Sequence, residues 1–389
     1  MSIDIYVTSK IQKQSLSHVW KTSIQETIQG KEKRSALFTW PRIHLDNELR
    51  FISSVERNFL RAALFQGLHG IWGFPFVHDK TVLTSEALLG QDVLSVAETD
   101  YRHFYNGRGC ILVSSSNWRV YEFVLIDTVD SSTQITVQTN LENTWPVGTK
   151  VYPFFEYSID PSQEIDVNFR QLNFLDVLAS ESFEDARSFS YSLPSSGADT
   201  YKGLDLFLTR PMYPLRETYQ HPFELLQFLG KGIRFSNYDK TRFSFSESFR
   251  IVSRSDIQDF LNFFDSKRGR FQSFYAPSWD NDIVSTTAID SLDTILVVEH
   301  LYLSSLSLVG RHLYIRFEDG SYACREIVAR PSSTSITLDS AIGTSVSEAN
   351  LSKILICFLN EVRFDADEIL IDYIADEIAD IKLNFRVIW

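Results

Sequence analysis

Cysteine is scarce in this chain: Cys110, Cys324 and Cys357 are the only three among 389 residues, and none belongs to a C-x-x-C pair. An odd, widely spaced set excludes a disulfide framework and gives no zinc pattern, so reduced, buried thiols are expected. Long apolar runs are also missing. No stretch reaches the roughly 18 residues of a membrane-spanning helix, and the opening MSIDIYVTSK does not read as a signal peptide. The expectation is a soluble chain made in a cytoplasm, with no membrane insertion. Positive charge is outnumbered, with 37 Lys and Arg against 50 Asp and Glu, a net charge of −13 and a pI near 5.1. Such a balance argues against gripping nucleic acid by its phosphates, yet it suits a wall that DNA slides past.

The ingredients of catalysis are absent as well. The eight histidines are scattered, with no H-x-H or H-E-x-x-H spacing. No phosphate-cradling G-x-x-x-x-G-K-[ST] occurs, and Gly107-Arg108-Gly109 is only a turn. Asp280, Asp282, Asp365, Asp367 and Glu368 lack the ordered ligand loop of a calcium site, and solvated turns account for them. No nucleophile with a base can be assembled. The chain is therefore expected to be no enzyme, with no metal and no cofactor.

Aromatic residues are plentiful: 30 Phe, 16 Tyr and 7 Trp make 14% of the chain, which favours strands and large contact surfaces. At 44.8 kDa, two domains are expected. The most informative stretch is residues 257–282, IQDFLNFFDSKRGRFQSFYAPSWDND. Ile257, Phe260, Leu261 and Phe264 repeat at helical spacing, with Ser255 and Gln258 as a capping box and Lys267 and Arg268 in the last turn. Gly269 stops the helix. From Arg270 the period becomes two, until Pro277. Trp279 and Asp282 belong to the following turn.

The order capping box, helix, glycine, aromatic strand, proline occurs twice. Ser53 and Glu56 open an earlier copy, a helix is expected over residues 55–66 with Phe59, Leu60, Ala63 and Leu64 on one face, and Ile71 to Pro75 is the strand. Pro75 to Pro277 is 202 residues, Gly107 to Gly310 is 203 and Ser131 to Ser332 is 201, separations too constant for coincidence. Asn168-Phe169-Arg170 and Asn384-Phe385-Arg386 extend the match at 216, which puts extra residues in 361–380. Two similar modules follow from this. Within each, short strands separated by turns suggest a small barrel: residues 110–113, 119–126, 134–138 and 150–155 in the first, and 294–298, 311–317, 322–328, 335–338 and 353–358 in the second. Residues 365–380 carry seven carboxylates among isoleucines, which fits a strand pair with one charged face.

The domain reading is an N-terminal segment at 1–34 with little fold of its own, a first module at 35–180 with a barrel inserted at about 90–157, a linker at 181–235, and a second module at 236–389 with a barrel at about 285–365. Trp72, Trp118, Trp145, Trp279 and Trp389 offer faces for sugar rings, although packing in β cores accounts for them more simply.

A helix that runs through Arg268-Gly269-Arg270 into an aromatic strand with Phe274, Pro277, Trp279 and Asp282 resembles a motif of tailed-bacteriophage tail proteins of the distal-tail and baseplate-hub type. Gly30, Glu32 and Arg34, in a G-x-E-x-R-x-A-L run before Pro41-Arg42, resemble a second motif of the same proteins. The resemblance implies a mainly β, α+β fold of two duplicated tail-tube-like β-sandwich modules, each with one helix and an inserted small β-barrel. It also implies a ring of three or six chains that continues the tail tube, with carboxylates lining a DNA channel roughly 20 Å or more across. Partners would be tube, hub and fibre proteins, and DNA passing without sequence-specific binding. Two departures weaken the match to a simple distal-tail pattern: there are two modules, and the first has Leu68-His69-Gly70-Ile71 where the second has Arg268-Gly269-Arg270. The tail tube protein itself, a carbohydrate- or receptor-binding tail accessory protein, and an envelope hydrolase are the alternatives; the hydrolase lacks a carboxylate pair or triad in the sequence.

Overall fold

The fold is mainly β, and several of its strands alternate buried and exposed residues. The structure, a computed structural model, describes all residues except 1–3, 6–10, 28–30, 52–57, 59–60, 63–64, 66–70, 116, 119, 160–164, 169–171, 182–192, 222, 229–230, 236–240, 302–307 and 389. The first half runs β1 (Asp4–Ile5), β2 (Ile11–Val19), a hairpin of β3 (Thr22–Glu26) and β4 (Glu32–Ala36), β5 (Arg42–Phe51), β6 (Ile71–Pro75), β7 (Thr81–Val82), β8 (Val93–Ser95), β9 (Gly109–Val113), β10 (Tyr121–Ser131), β11 (Gln134–Val137), β12 (Lys150–Ile159), β13 (Ile165–Asn168) and β14 (Leu172–Glu181). The second half runs β15 (Thr200–Tyr201), β16 (Leu204–Asp205), β17 (Met212–Gln220), a hairpin of β18 (Glu224–Phe228) and β19 (Lys231–Phe235), β20 (Arg242–Ile251), helix α1 (Arg254–Lys267), β21 (Phe274–Pro277), β22 (Ile295–Val297), β23 (His312–Arg316), β24 (Tyr322–Ser332), β25 (Ser335–Leu338), β26 (Leu355–Phe364), β27 (Glu368–Ala375) and β28 (Ile378–Val387).

The two halves pair their strands in one order. In the first, β5 lies between β2 and β14, β14 also pairs with β13 and the end of β12, β12 returns along β6, and β6 takes β1 in parallel. In the second, β20 lies between β17 and β28, β28 also pairs with β27 and the end of β26, β26 returns along β21, and Tyr275 of β21 takes Leu206 in parallel. Backbone register corrects one sequence match. His44 pairs with Ser180 where Ser244 pairs with Arg386, so β14 answers to β28 at a separation of 206 (386 − 180). Asn168 ends β13, the counterpart of β27, and cannot match Asn384 of β28; Phe169 and Arg170 lie outside the described residues. The added residues are spread along the chain, since the separation drifts from 200 at His44 to 202 at Pro75 and 206 at Ser180.

The inserted barrels follow the expected strands closely. In the first, β12, β9, β10, β11 and β8 pair in series, and residues 81–83 close the ring by pairing with both β12 and Val96. The second has β26, β23, β24, β25 and β22 in the same series, closed by the Ser285–Val298 bridge and the Ile283 N–H to Ile356 C=O bond. Each barrel has its own core, with Leu94, Ile126 and Ile135 in one and Leu296, Ile327 and Ile336 in the other. Cys110, Cys324 and Cys357 are buried and unpaired, as expected, and burial pushes each thiol up to about 12.

Helix α1 starts two residues earlier than the capping-box reading has it. Ser253, in extended backbone, accepts from the Asp256 N–H at 3.1 Å, while Gln258 bonds Asn262 one turn on. The helix then buries Ile257, Phe260, Leu261, Phe263 and Phe264 as their spacing requires. Arg270 to Ser273 is turn, and only Phe274–Pro277 is strand. In the first half, Asn58, Arg61, Ala62 and Phe65 are helical and exposed; the apolar positions expected to be buried there lie outside the described residues. Residues 1–34 and 181–235, expected to carry little structure, supply β2 and β17 to the main sheet and two hairpins besides.

β20 places Phe245, Glu247, Phe249 and Ile251 on its inward side. Glu247 is 2% exposed, and neither carboxyl oxygen has a hydrogen-bond partner among the described residues. Burial pushes its carboxyl up to about 8. A folded-state value above the unfolded one means that the stability present below the unfolded value of 4.5 drains as pH rises toward 8. Denaturant unfolding at about pH 5 and about pH 9 is expected to show a loss on the order of 4 kcal/mol that Glu247→Gln largely removes.

Candidate functional site

The joint between the halves is built on β2. Its sequence, IQKQSLSHV, is largely polar; among its described side chains Leu16 is the one buried aliphatic, yet residues 14–18 are all buried, and strands pair along both edges. On one side it pairs with β5 and on the other with β27, in a register that sets Leu16 opposite Ile371 and Ser15 opposite Asp372. The Asp372 carboxylate accepts from Ser15 Oγ at 2.7 Å and pairs with Lys13 Nζ at 2.8 Å.

Three clamps fix this register. The β3–β4 hairpin reaches over the second half, where Glu32 takes both Nε (2.8 Å) and Nη2 (2.9 Å) of Arg363. Arg363 is fully buried, and its Nη1 also donates to the Phe364 carbonyl and to Asp365. Burial alone would raise the Glu32 carboxyl, but the Arg363 hydrogen bonds and charge outweigh it and hold the group below the usual carboxylate range. Glu26 on the same hairpin pairs with Arg386 at 3.0 Å and Arg242 at 2.7 Å. The second clamp is Asp367, which accepts from the Thr22 N–H and Oγ at 2.8 Å each and from the Arg270 N–H at 2.9 Å.

Helix α1 is the third. At its start Arg254 donates to Asp79 and to the His78 carbonyl, and Asp79 also holds His103. Burial would raise Asp79, but His103 and Arg254 lower it. The His78 ring stacks on Tyr373 at 5.0 Å, and Lys80 pairs with Asp376 at 2.5 Å. At the helix end Asp265 accepts from Trp20 Nε1 at 2.8 Å and lies 2.9 Å from His18 Nδ1.

The motif residues divide between this joint and the interior of the second half. Glu32 and Arg34 lie on the hairpin, and Arg268, Gly269 and Arg270 form the turn against Asp367. Gly269 has φ +60°, and a Cβ there would stand 3.0 Å from the Asp367 Cα and 3.3 Å from the Trp20 Cβ, so only glycine lets the helix end approach so closely. Phe274 and Pro277 are buried in β21, Trp279 packs on Tyr314 at 5.6 Å, and Asp282 accepts from Ser278 Oγ and from the Phe358 N–H at 2.8 Å. Gly30 lies outside the described residues. Sequence reasoning missed Asp79, Arg254, Asp265 and Arg363; the one signal was a lone arginine inside the apolar run before Phe364.

The counterparts of β2 and β27 lack a second neighbour among the described residues: β17 pairs only with β20 and β13 only with β14. Beside β17, between the second half's sheet and its barrel, lies a cleft of about 860 Å³ lined by Glu217, Tyr219, Ser278, Asp282, Arg311 and Asn360. Tyr219 stacks on Phe243 at 4.8 Å, and the Arg311 guanidinium sits 4.8 Å over the Phe358 ring. Among the described residues no group of three His, Cys, Asp or Glu side chains is placed to hold a metal ion, and no helix is long and apolar enough to cross a membrane.

Replacing Glu32 by Ala leaves Arg363 buried without its main partner, and unfolding free energy is expected to fall by about 3–5 kcal/mol; Glu32→Met with Arg363→Met should cost much less. Gly269→Ala is expected to cost at least about 1 kcal/mol in the same denaturant measurement. No family model and no curated protein matches this chain.

Proposed function

We propose that the chain is a structural protein of a bacteriophage virion that forms a ring at the distal end of the tail, continuing the DNA channel and connecting the tube to tip, fibre or receptor-binding proteins. The observation that carries this reading is the joint. One chain sets two halves of like strand order side by side through β2 and β27, and the counterparts of those two strands, β17 and β13, each have one edge unpaired among the described residues. An operation that joins unlike edges builds a ring where its rotation closes, and such a ring is the assembly this reading requires. Two halves per chain let three chains fill six positions. The motifs around Glu32 and Gly269 that resemble distal-tail and hub proteins sit at this joint, which supports the same reading.

The sheet face turned away from the core would line the bore. It carries Ser244, Ser246 and Ser248 on β20, with Arg250 paired to Asp380 and Lys13 to Asp372. The charges named there are of both signs and lie in pairs, where a mostly acidic wall was expected from the net charge. Paired charges leave little free potential to hold a phosphate backbone, so DNA can still pass. A second reading, a saccharide- or receptor-binding accessory protein, draws on Tyr219, which is 65% exposed at the mouth of the cleft. Light scattering and negative-stain images of the purified chain test the first reading: a mass of three chains with a central channel is expected, whereas a monomer at all concentrations overturns it.

A further inference from the structure

The cleft beside β17 has a counterpart in the first half, and that one is filled. By the strand register, Phe76, Lys80, Arg108 and Phe155 answer to Ser278, Asp282, Arg311 and Asn360. Around the first set sit residues of the second half: Tyr373 meets Phe76 at 5.5 Å and stacks on His78, Lys80 pairs with Asp376, and Arg254 reaches Asp79. Around the second set lies the open space of about 860 Å³.

We propose that this cleft and the adjoining edge of β17 receive β13 from a second copy of this chain, adding it as an antiparallel strand. The inference rests on the ring reading and deepens it by naming the contact. Register fixes the alignment. Leu16 and Glu217 hold the same place, since their partners are Leu45 and Phe245; Ile371 and Ile165 hold the same place, since theirs are Ile381 and Leu175. Leu16 opposite Ile371 within the chain thus becomes Glu217 opposite Ile165 between chains, and Ser15 opposite Asp372 becomes Arg216 opposite Asp166. The two strands that are received share a sequence, Ile165-Asp166 and Ile371-Asp372. Charge fits as well. Asp372 takes its cation from Lys13 of β2, and β17 supplies one directly in Arg216, which is exposed and has no ion pair among the described residues. Tyr373, which fills the first cleft, holds the register position that Val167 holds in β13.

The test uses the full chain. Arg216→Asp is expected to weaken self-association by at least about tenfold in sedimentation, and Arg216→Asp combined with Asp166→Arg is expected to restore it. Glu217→Cys with Ile165→Cys should cross-link chain to chain on mild oxidation, against the background of three buried native thiols. Far-ultraviolet circular dichroism and denaturant midpoints check that each variant folds. A ring that is insensitive to Arg216→Asp and gives no cross-link overturns the contact but leaves the ring; a chain monomeric at every concentration overturns both. Binding of an oligosaccharide that is lost with Tyr219→Ala, with assembly unchanged by the charge reversals, overturns the contact and assigns the cleft to sugars.

Discussion

The antiparallel pairing of β2 with β27 makes one sheet out of two halves, and the rest of the architecture depends on it. β2 comes from the start of the chain and β27 from its end, so Ser15 and Asp372 meet across 357 residues. Once they pair, α1 is placed over both halves: its apolar face joins Phe245, Phe249 and Phe385 with Leu16, Trp20 and Trp72 in a single core. Without the pairing, α1 would leave half of that core in water.

Aliphatic burial alone would not fix how β2 lies against β27, since a strand of Gln, Lys and Ser has little to lose by sliding two residues. The buried polar groups do fix it. Arg363 with Glu32, Asp79 with His103 and Arg254, and Asp265 with Trp20 and His18 each satisfy donors and acceptors in one alignment and strand them in any other. Such pairs add little net stability compared with apolar side chains of the same volume, and their effect here is to specify the register.

What could be read in the sequence follows from how local each signal is. The barrel strands β11 and β25 were legible almost to the residue because Ser131-Ser132-Thr133 and Ser332-Ser333-Thr334 mark their turns and Ile135 and Ile336 alternate cleanly into a core. The face of α1 was legible for the same reason, and the outward carboxylates of β27 and β28 flank buried Ile369, Ile371 and Ile381 as their alternation foretold. β2 and β17 were not: β2 is covered on both edges by strands distant in sequence and β17 is almost wholly exposed, so neither carries a clean apolar alternation. Within the candidate site, Glu32 and Gly269 stood out as motif members, but their partners Arg363 and Asp367 lie 331 and 98 residues away, and nothing local joins them. The Asn168 match failed for a related reason: three identical residues carry less register information than the pairing of His44 and Ser244 with their neighbours.

The halves differ most where the joint is made, and the difference has a physical cause. Where β2 places Leu16, β17 places Glu217; where the first half has Phe76 and Lys80, the second has Ser278 and Asp282. An edge that is covered as the chain folds can be apolar, because it never faces water in the native state. An edge that stays open in the free chain must resist indiscriminate pairing, and charge, proline and an irregular register are the usual means. β17 has all three, with Arg216 and Glu217, Pro214, and a break in its pairing with β20 between Met212 and Arg216. The same features that guard such an edge against indiscriminate pairing leave specificity to a strand that brings an opposite charge to Arg216, which is the property the proposed contact uses.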